Sequence, residues 1–597
     1  MSDQENYWTR HRSNRFTRRT FMAGSGVMAA GTAAMLAGCG DDDVKKTATA
    51  ASGTTVSGAT NSTPQASSAT AAASGKRGGK LTVTKVVPDT GLDPAITVTN
   101  PMHPAKAYNH ILQYEASSNT FYLDAASKFE QADPTKMVFT LRDGMKFNPE
   151  AAGGRALTAA DVAYSYARFP GTLKNFGSEV NSIQWAWMDS FETPDDKTLI
   201  IKLKKPYASA IPVMGSSAYG IVAKELVEAN GGSLAKIMNA GAGPYMMTKR
   251  ESTGTRYERN PNYYKHSPAL GPFVEAGPYI DVIEEIITQD PATVEARFLA
   301  GDTDLLNLPQ GIDKLKAAEL QGQKGIVVGK ATTAANYPIT LDNEKWDKHP
   351  KLREAFSLAI DRELYIKTIL LGDGIYGSSV GPIFDSVLSQ EELKGLQKFD
   401  PVRAKQLWAE GGGNTVFPNG LLTIPPTFGN QTPFAFVQKQ LEANLGIKVK
   451  LDPADLAAFV ARATSRQKDW DFFISSEGSI TTIPDYNALT FFAPSGYASI
   501  FGNLRLDSPI PETAAFAKEC QDWYDKQAAE LDPAKRKQIL RDAQKFHLTS
   551  FGPAIPLPVS SFVYGAWRDR VKNVPLKDFH LGNSSTGVYR VHNLSVA

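Results

Sequence analysis

The side chains able to do covalent chemistry in this sequence are few, and their spacing serves it poorly. Gly377-Ser378-Ser379-Val380-Gly381 fits the GxSxG pattern of a serine nucleophile, but that pattern needs a strand before the serine and a helix after it. Here a helical pattern precedes it and Pro382 follows, which leaves a serine hydrolase as a distant alternative. Ser233-Leu234-Ala235-Lys236 fits the SxxK of penicillin-interacting serine enzymes, yet neither SDN nor KTG completes the set. The eight histidines are scattered, and His103 and His110 share a face only if their segment is helical. Without cysteines or acids at ligand spacing, no resident metal or cofactor is expected. Cys520, beside an Ala-Phe-Ala run, reads as a small core residue rather than a reactive thiol.

The residues with a clear chemical destiny lie at the start. Thr17-Arg18-Arg19-Thr20-Phe21 is a twin-arginine element, followed by a weakly apolar run that ends in Leu36-Ala37-Gly38-Cys39. Four glycines interrupt that run, so it makes a poor membrane span. It reads as a cleaved export signal, with Cys39 becoming the lipid-carrying first residue of the mature chain. Cys520 is then the only other cysteine and no internal disulfide can form. Removing 38 residues that hold five Arg, one Asp and one Glu leaves 59 basic against 60 acidic side chains. That balance argues against a nucleic-acid binder. No GxxxxGK[ST] loop is present, so nucleotide-driven work is not expected of this chain.

After Asp41-Asp42-Asp43 the chain runs to about Gly79 in Ala, Ser, Thr and Gly, too polar to offset the entropy of ordering it. As a tether it would hold the body about 30 to 40 Å from a membrane on average. The body opens with a strand pattern over Lys80 to Val87. Further strands are expected at Met137 to Leu141, Thr198 to Leu203, Val282 to Thr288 and Lys448 to Leu451. Helical spacing marks Ala159 to Phe169, Pro291 to Ala300, Leu352 to Leu371, Pro401 to Glu410, Phe434 to Asn444 and Pro533 to Phe546. Thr158, Asp290, Asp400 and Asp532 stand where N-caps belong. Alternating strands and helices at this spacing call for an α/β protein of more than one lobe.

Seven segments in order carry a resemblance. They are Phe139 to Phe147, Leu157 to Ser165, Gly241 to Tyr245, Glu258 to Tyr264, Leu352 to Arg362, Asp400-Pro401 with Ala404-Lys405, and Pro553 to Pro558. Over roughly residues 78 to 597 the chain resembles the extracytoplasmic solute-binding proteins of the peptide and nickel class that feed ABC importers, bacterial solute-binding family 5. Most of these motifs read as structural: Gly243-Pro244-Tyr245 as a turn entering a strand, Glu258 to Tyr264 as a strand end and turn.

The resemblance implies a two-lobed periplasmic-binding-protein-like α/β fold with a hinge and an extra subdomain inserted in lobe one. Lobe one would take 78–332, with the subdomain at 113–194 and a return at 555–597, and lobe two 333–554. The crossings would fall near Thr333 to Tyr337 and near Phe551-Gly552-Pro553. The implied partners are a small solute, such as an oligopeptide, and the permease and ATPase subunits of the importer. The implied location is extracytoplasmic, anchored through lipid on Cys39 in the periplasm or on the outer face, and a monomer is expected. A lipid-tethered binding module for sensing or adhesion without transport stays open beside this.

For the ligand site, the resemblance points to Asn336 and Tyr337 at the hinge and to the stretch Trp470 to Tyr486. In peptide-binding members that stretch carries an Asp that pairs with the free amine of the peptide. Aligning Trp470-Asp471 and Pro484-Asp485 on the pattern puts Ile480 at that place, and an Ile offers a buried ammonium nothing. Ser476, Glu477, Gly478, Ser479 and Asp485 are the remaining candidates, with Glu477 or Asp485 able to supply a carboxylate from a shifted position. Trp185 and Trp187, if extended, point the same way and could wall a ligand pocket, or could simply pack a core.

Overall fold

This computed structural model describes residues 77–85, 92–96, 102–115, 120–170, 185–216, 218–263, 278–288, 290–306, 312–332, 336–426, 431–475, 493–494, 501–574 and 594–596. The export signal, Cys39 and the tether lie outside the described residues.

Burial on both faces makes the first strand, Lys80–Lys85, a central one: Leu81 and Val83 are buried on one face and Thr82 and Thr84 on the other. It pairs in parallel with Val282–Ile287 and with Leu305–Leu306 inside a seven-stranded sheet. The sheet is completed by Tyr245–Glu251 and Gly254–Arg259 on one side, and by Phe562–Arg568 and Ile326–Thr332 on the other. Leu81, Val83, Met247, Tyr257, Ile283 and Trp567 fill one core against it. Helices Pro291–Ala300 and Lys314–Leu320 bring Val294, Phe298 and Leu320 to another.

A second sheet of five strands runs in the order Val449–Leu451, Leu421–Thr423, Phe472–Ile474, Tyr337–Leu341, Ala554–Leu557. Its core includes Trp346, Phe356, Trp408, Leu441, Trp470 and Phe472. A third, antiparallel sheet joins Ala126–Asp133, Lys136–Leu141, Thr198–Leu203 and Met188–Glu192. In it Met137, Phe139, Leu141, Leu199, Ile201 and Leu203 face inward in strict alternation.

The expected caps close their helices. Asp290 accepts from the Thr293 amide, Asp400 from Arg403, and Asp532 from Ala534 and Lys535. Thr158 forms a capping box with Asp161.

Three expectations are corrected. The helix expected over Leu352 to Leu371 is two, Pro350–Leu358 and Arg362–Thr368, because Asp361 caps a new start by accepting from the Leu364 amide. That break turns Arg362 inward, where it donates to the carbonyls of Ser357 and Pro556, and burial lowers its pKa to about 10. Arg353 is also buried, paired with Asp347. The subdomain boundary at 194 is too early, since Thr198–Leu203 lies between Lys136–Leu141 and Met188–Glu192 in the same sheet. The boundary at 554/555 cuts a strand: Ala554–Leu557 pairs with Tyr337–Leu341 and stays in the five-stranded sheet. The return to the first sheet therefore comes after Leu557, not at Phe551-Gly552-Pro553.

Candidate functional site

The two large sheets are joined by two adjacent crossings. One leads from Thr332 to Tyr337, the other from Leu557 to Phe562. Thr332 faces Phe562 in the seven-stranded sheet, and Tyr337 faces Leu557 in the five-stranded one. The chain thus changes sheets along two neighbouring, oppositely directed segments, which is the geometry of a hinge.

Strand direction points to the same place. In the seven-stranded sheet the carboxyl ends of Lys80–Lys85, Val282–Ile287 and Leu305–Leu306 run toward the Phe562 end of the antiparallel Phe562–Arg568 strand. In the five-stranded sheet Leu421–Thr423, Val449–Leu451 and Phe472–Ile474 run parallel, with Ile474 opposite Ile339 near the Tyr337 end. Ligands of open α/β sheets bind outside the carboxyl ends of the strands. Both sets of ends here point at the crossings.

Several groups brace that region. Gly374–Ile375 pairs with Val559–Ser560 on the second crossing, and the Ser561 amide donates to the Asp373 carbonyl. The Tyr564 hydroxyl, from the seven-stranded sheet, donates to the Asp373 carboxylate at 2.5 Å; burial and this bond raise its pKa to about 12. A Cβ on Gly377 would stand 2.2 Å from the Leu557 carbonyl oxygen, so only glycine allows this approach to the hinge strand. On the five-stranded side the Ser475 amide donates to the Pro338 carbonyl, and its hydroxyl lies 3.3 Å from that of Thr340. The Thr423 hydroxyl is buried without a partner.

Below the carboxyl ends of the first sheet sits a buried polar cluster. Lys106 Nζ lies 2.6 Å and Lys85 Nζ 3.3 Å from the Glu285 carboxylate, which also accepts from Thr255 at 2.6 Å. Burial opposes the charge on Glu285, but the two ammonium groups and the hydrogen bonds outweigh it and hold the carboxyl well below its usual range. His103 Nδ1 is 3.2 Å from the Tyr257 hydroxyl, and burial, with Lys106 and Lys85 adding repulsion, keeps the ring neutral. His103 therefore belongs to this cluster, whereas His110 contributes a backbone amide to Asp124. Among the described residues no group of three or more His, Cys, Asp or Glu is placed to hold a metal ion.

Of the residues singled out from sequence, Asn336 and Tyr337 stand at the hinge end of the Tyr337–Leu341 strand of the five-stranded sheet, next to its Ala554–Leu557 edge. Ser476, Glu477, Gly478, Ser479, Ile480 and Asp485 lie outside the described residues. Trp185 and Trp187 do not line an open wall. They stack at 5.4 Å and are sealed among Tyr166, Phe169, Tyr207 and Tyr219, which is the packing role. Cys520 is a core residue beside Leu504 and Ala517, its thiol pKa raised by burial. Ser233 and Lys236 are exposed and no helix carries them.

One pairing was not legible in the sequence. His547 Nδ1 lies 3.3 Å from Ser379 Oγ across 168 positions. Both residues are buried, and burial lowers the imidazole pKa to about 3. A ring so resistant to protonation is a poor acceptor for a serine proton. No helix follows Ser379 before Gln390–Leu396.

Residues 120–499 match the family described as bacterial extracellular solute-binding proteins, family 5 Middle. The oligopeptide-binding protein AppA of Bacillus subtilis (strain 168) is 27% identical over 370 residues, covering 58% of this chain. The match spans 63% of that relative, less than two thirds of its length. The ABC transporter-associated periplasmic binding protein DppA from Helicobacter pylori, solved in complex with the peptide STSA, superposes with a TM-score of 0.71 at 18% identity over 87% of this chain and 98% of its own. The binding protein AgaA from A. tumefaciens R10, solved with agropinic acid, gives a TM-score of 0.70 at 20% identity over 87% and 99%. The fold shared with these proteins is the two-lobed one, each large sheet forming the centre of a lobe.

Proposed function

The chain belongs to the bacterial extracellular solute-binding proteins of family 5, and from that premise we propose that it is the substrate-binding lipoprotein of an ABC importer. It captures a short peptide or peptide-like solute by hinge closure and hands it to a membrane permease driven by separate ATPase subunits. The observation that carries this reading is the double crossing at Thr332–Tyr337 and Leu557–Phe562, with strand carboxyl ends from both sheets converging on it. A ligand that touches both lobes favours the closed arrangement by its differential affinity, and one held equally by both states shifts nothing.

The peptide class is supported by the likeness to AppA, named for oligopeptides. The likeness to AgaA, solved with agropinic acid, shows that the fold alone does not select a peptide. With Ile480 where the resemblance expects an Asp, the ligand is one whose anchoring does not depend on a free amine at that position. Arg18-Arg19 and Cys39 support export and lipid attachment, and no helix among the described residues is long and apolar enough to cross a membrane. The buried Ser379–His547 pair, with its acid-resistant ring, gives no support to an enzyme.

Native mass spectrometry of the full-length protein, purified in detergent, tests this reading. Discrete peptide masses are expected to accompany the protein, or to bind when a tryptic digest of casein is added. A spectrum free of small-molecule adducts under both conditions would contradict it.

A further inference from the structure

Asn336 carries a carboxamide with nothing to bond to. The residue is 2% exposed, and neither Oδ1 nor Nδ2 has a hydrogen-bond partner. Native proteins leave few buried polar groups unpaired, because the group gives up water and receives nothing in return. A leucine, branched at the same atom but without polar groups, would not carry that cost. The position is also particular. Asn336 directly precedes Tyr337, at the end of the strand where Leu557 closes one side, Ser475 reaches Pro338 on the other, and the carboxyl ends of three parallel strands arrive.

Resting on the peptide-class reading of the cleft, we infer that Asn336 anchors the main chain of the ligand. Oδ1 accepts from the N–H, and Nδ2 donates to the C=O, of one residue held in extended conformation. In an extended segment both groups of one residue lie on the same edge, as in a hydrogen-bonded strand pair. A carboxamide presents an acceptor and a donor side by side, so one peptide residue satisfies both. An ammonium or a carboxylate would satisfy only half of it. Recognition through Asn336 therefore reads the backbone and tolerates different side chains. It also ties binding to closure, since an empty closed cleft leaves the amide unpaired and a peptide relieves that penalty.

The test uses the full-length protein in detergent, with Asn336→Leu and the smaller Asn336→Ala. Both are titrated with a pool of synthetic tripeptides, and then with ester analogues of each binder in which one amide N–H is replaced by oxygen. The expected result has three parts. Tripeptide affinity falls tenfold or more in both variants, and the peptide-free Tm of Asn336→Leu is unchanged or higher. One ester replacement weakens binding to the wild type and leaves binding to Asn336→Leu unaffected. Wild-type binding with equal affinity in the variants would overturn the role of Asn336 while the peptide reading stands. So would a lower peptide-free Tm together with an ester effect that persists in Asn336→Leu. A wild type that binds no tripeptide would overturn the peptide reading, and the anchor with it.

Discussion

At the scale of single residues, the chemistry of this chain lies in buried polar groups whose partners come from far away in sequence. Glu285 meets Lys85, Lys106 and Thr255 from three separate elements, and His547 meets Ser379 across 168 positions. Such meetings have no local signature, which is why the sequence suggested His103 and Ser379 only as isolated possibilities. Asn336 was legible as a hinge residue, but its unpaired amide was not. His547 also has a measurable consequence. Its folded-state pKa is depressed from 6.5 to about 3 by burial, so below pH 6.5 the unfolded chain binds a proton that the folded chain refuses. Stability therefore falls as pH drops from about 6.5 toward 3, by about 2 kcal/mol at pH 5 from this ring. His103, also held neutral by burial and by its lysine neighbours, acts in the same sense. His547→Gln is expected to shrink the difference in urea-unfolding free energy between about pH 7 and pH 5 by that order. An undiminished difference would show that the ring titrates normally.

Elements were the most legible scale, because caps and periodicity are local. Thr198–Leu203, Pro291–Ala300 and Pro401–Glu410 have the expected bounds, each announced by alternation or by an aspartate before a proline. The failure at Asp361 has the same origin: a good cap inside an apolar run starts a second helix, and the run alone does not show it. Strand partners were less legible. Thr198–Leu203 was placed outside the unit whose sheet holds it, and Ala554–Leu557 was cut after its first residue, since pairing depends on strands outside the local stretch, Lys136–Leu141 for the one and Tyr337–Leu341 for the other. The contact of Gly377 with the hinge strand is a consequence of that pairing. Gly377→Ala puts a methyl 2.2 Å from the Leu557 carbonyl oxygen, so one of the two segments must move. A loss of about 1–3 kcal/mol is expected in the urea midpoint analysis. A midpoint equal to the wild type would mean that the segments separate freely at this point.

At the scale of the whole molecule, the seven ordered motifs named the family and its two-lobed α/β fold, while the ligand stayed beyond them because most of those motifs build turns and helix packing. A second set of contacts lies away from the hinge. Lys205 pairs with Asp525 at 2.9 Å, the Tyr207 and Tyr524 hydroxyls lie 3.3 Å apart, the Ala208 amide donates to the Ala528 carbonyl, and Arg536 donates to Ser209. These contacts join a segment following the Thr198–Leu203 strand to the helices Pro511–Ala529 and Pro533–Thr549. The central claim is that a ligand held between the lobes drives the hinge closed. Small-angle X-ray scattering of the full-length protein in detergent of matched contrast, stripped of bound solute by unfolding and refolding, tests it directly. On addition of the tripeptides that bind, the radius of gyration of the protein is expected to fall. Superimposable profiles at saturating peptide would contradict the account.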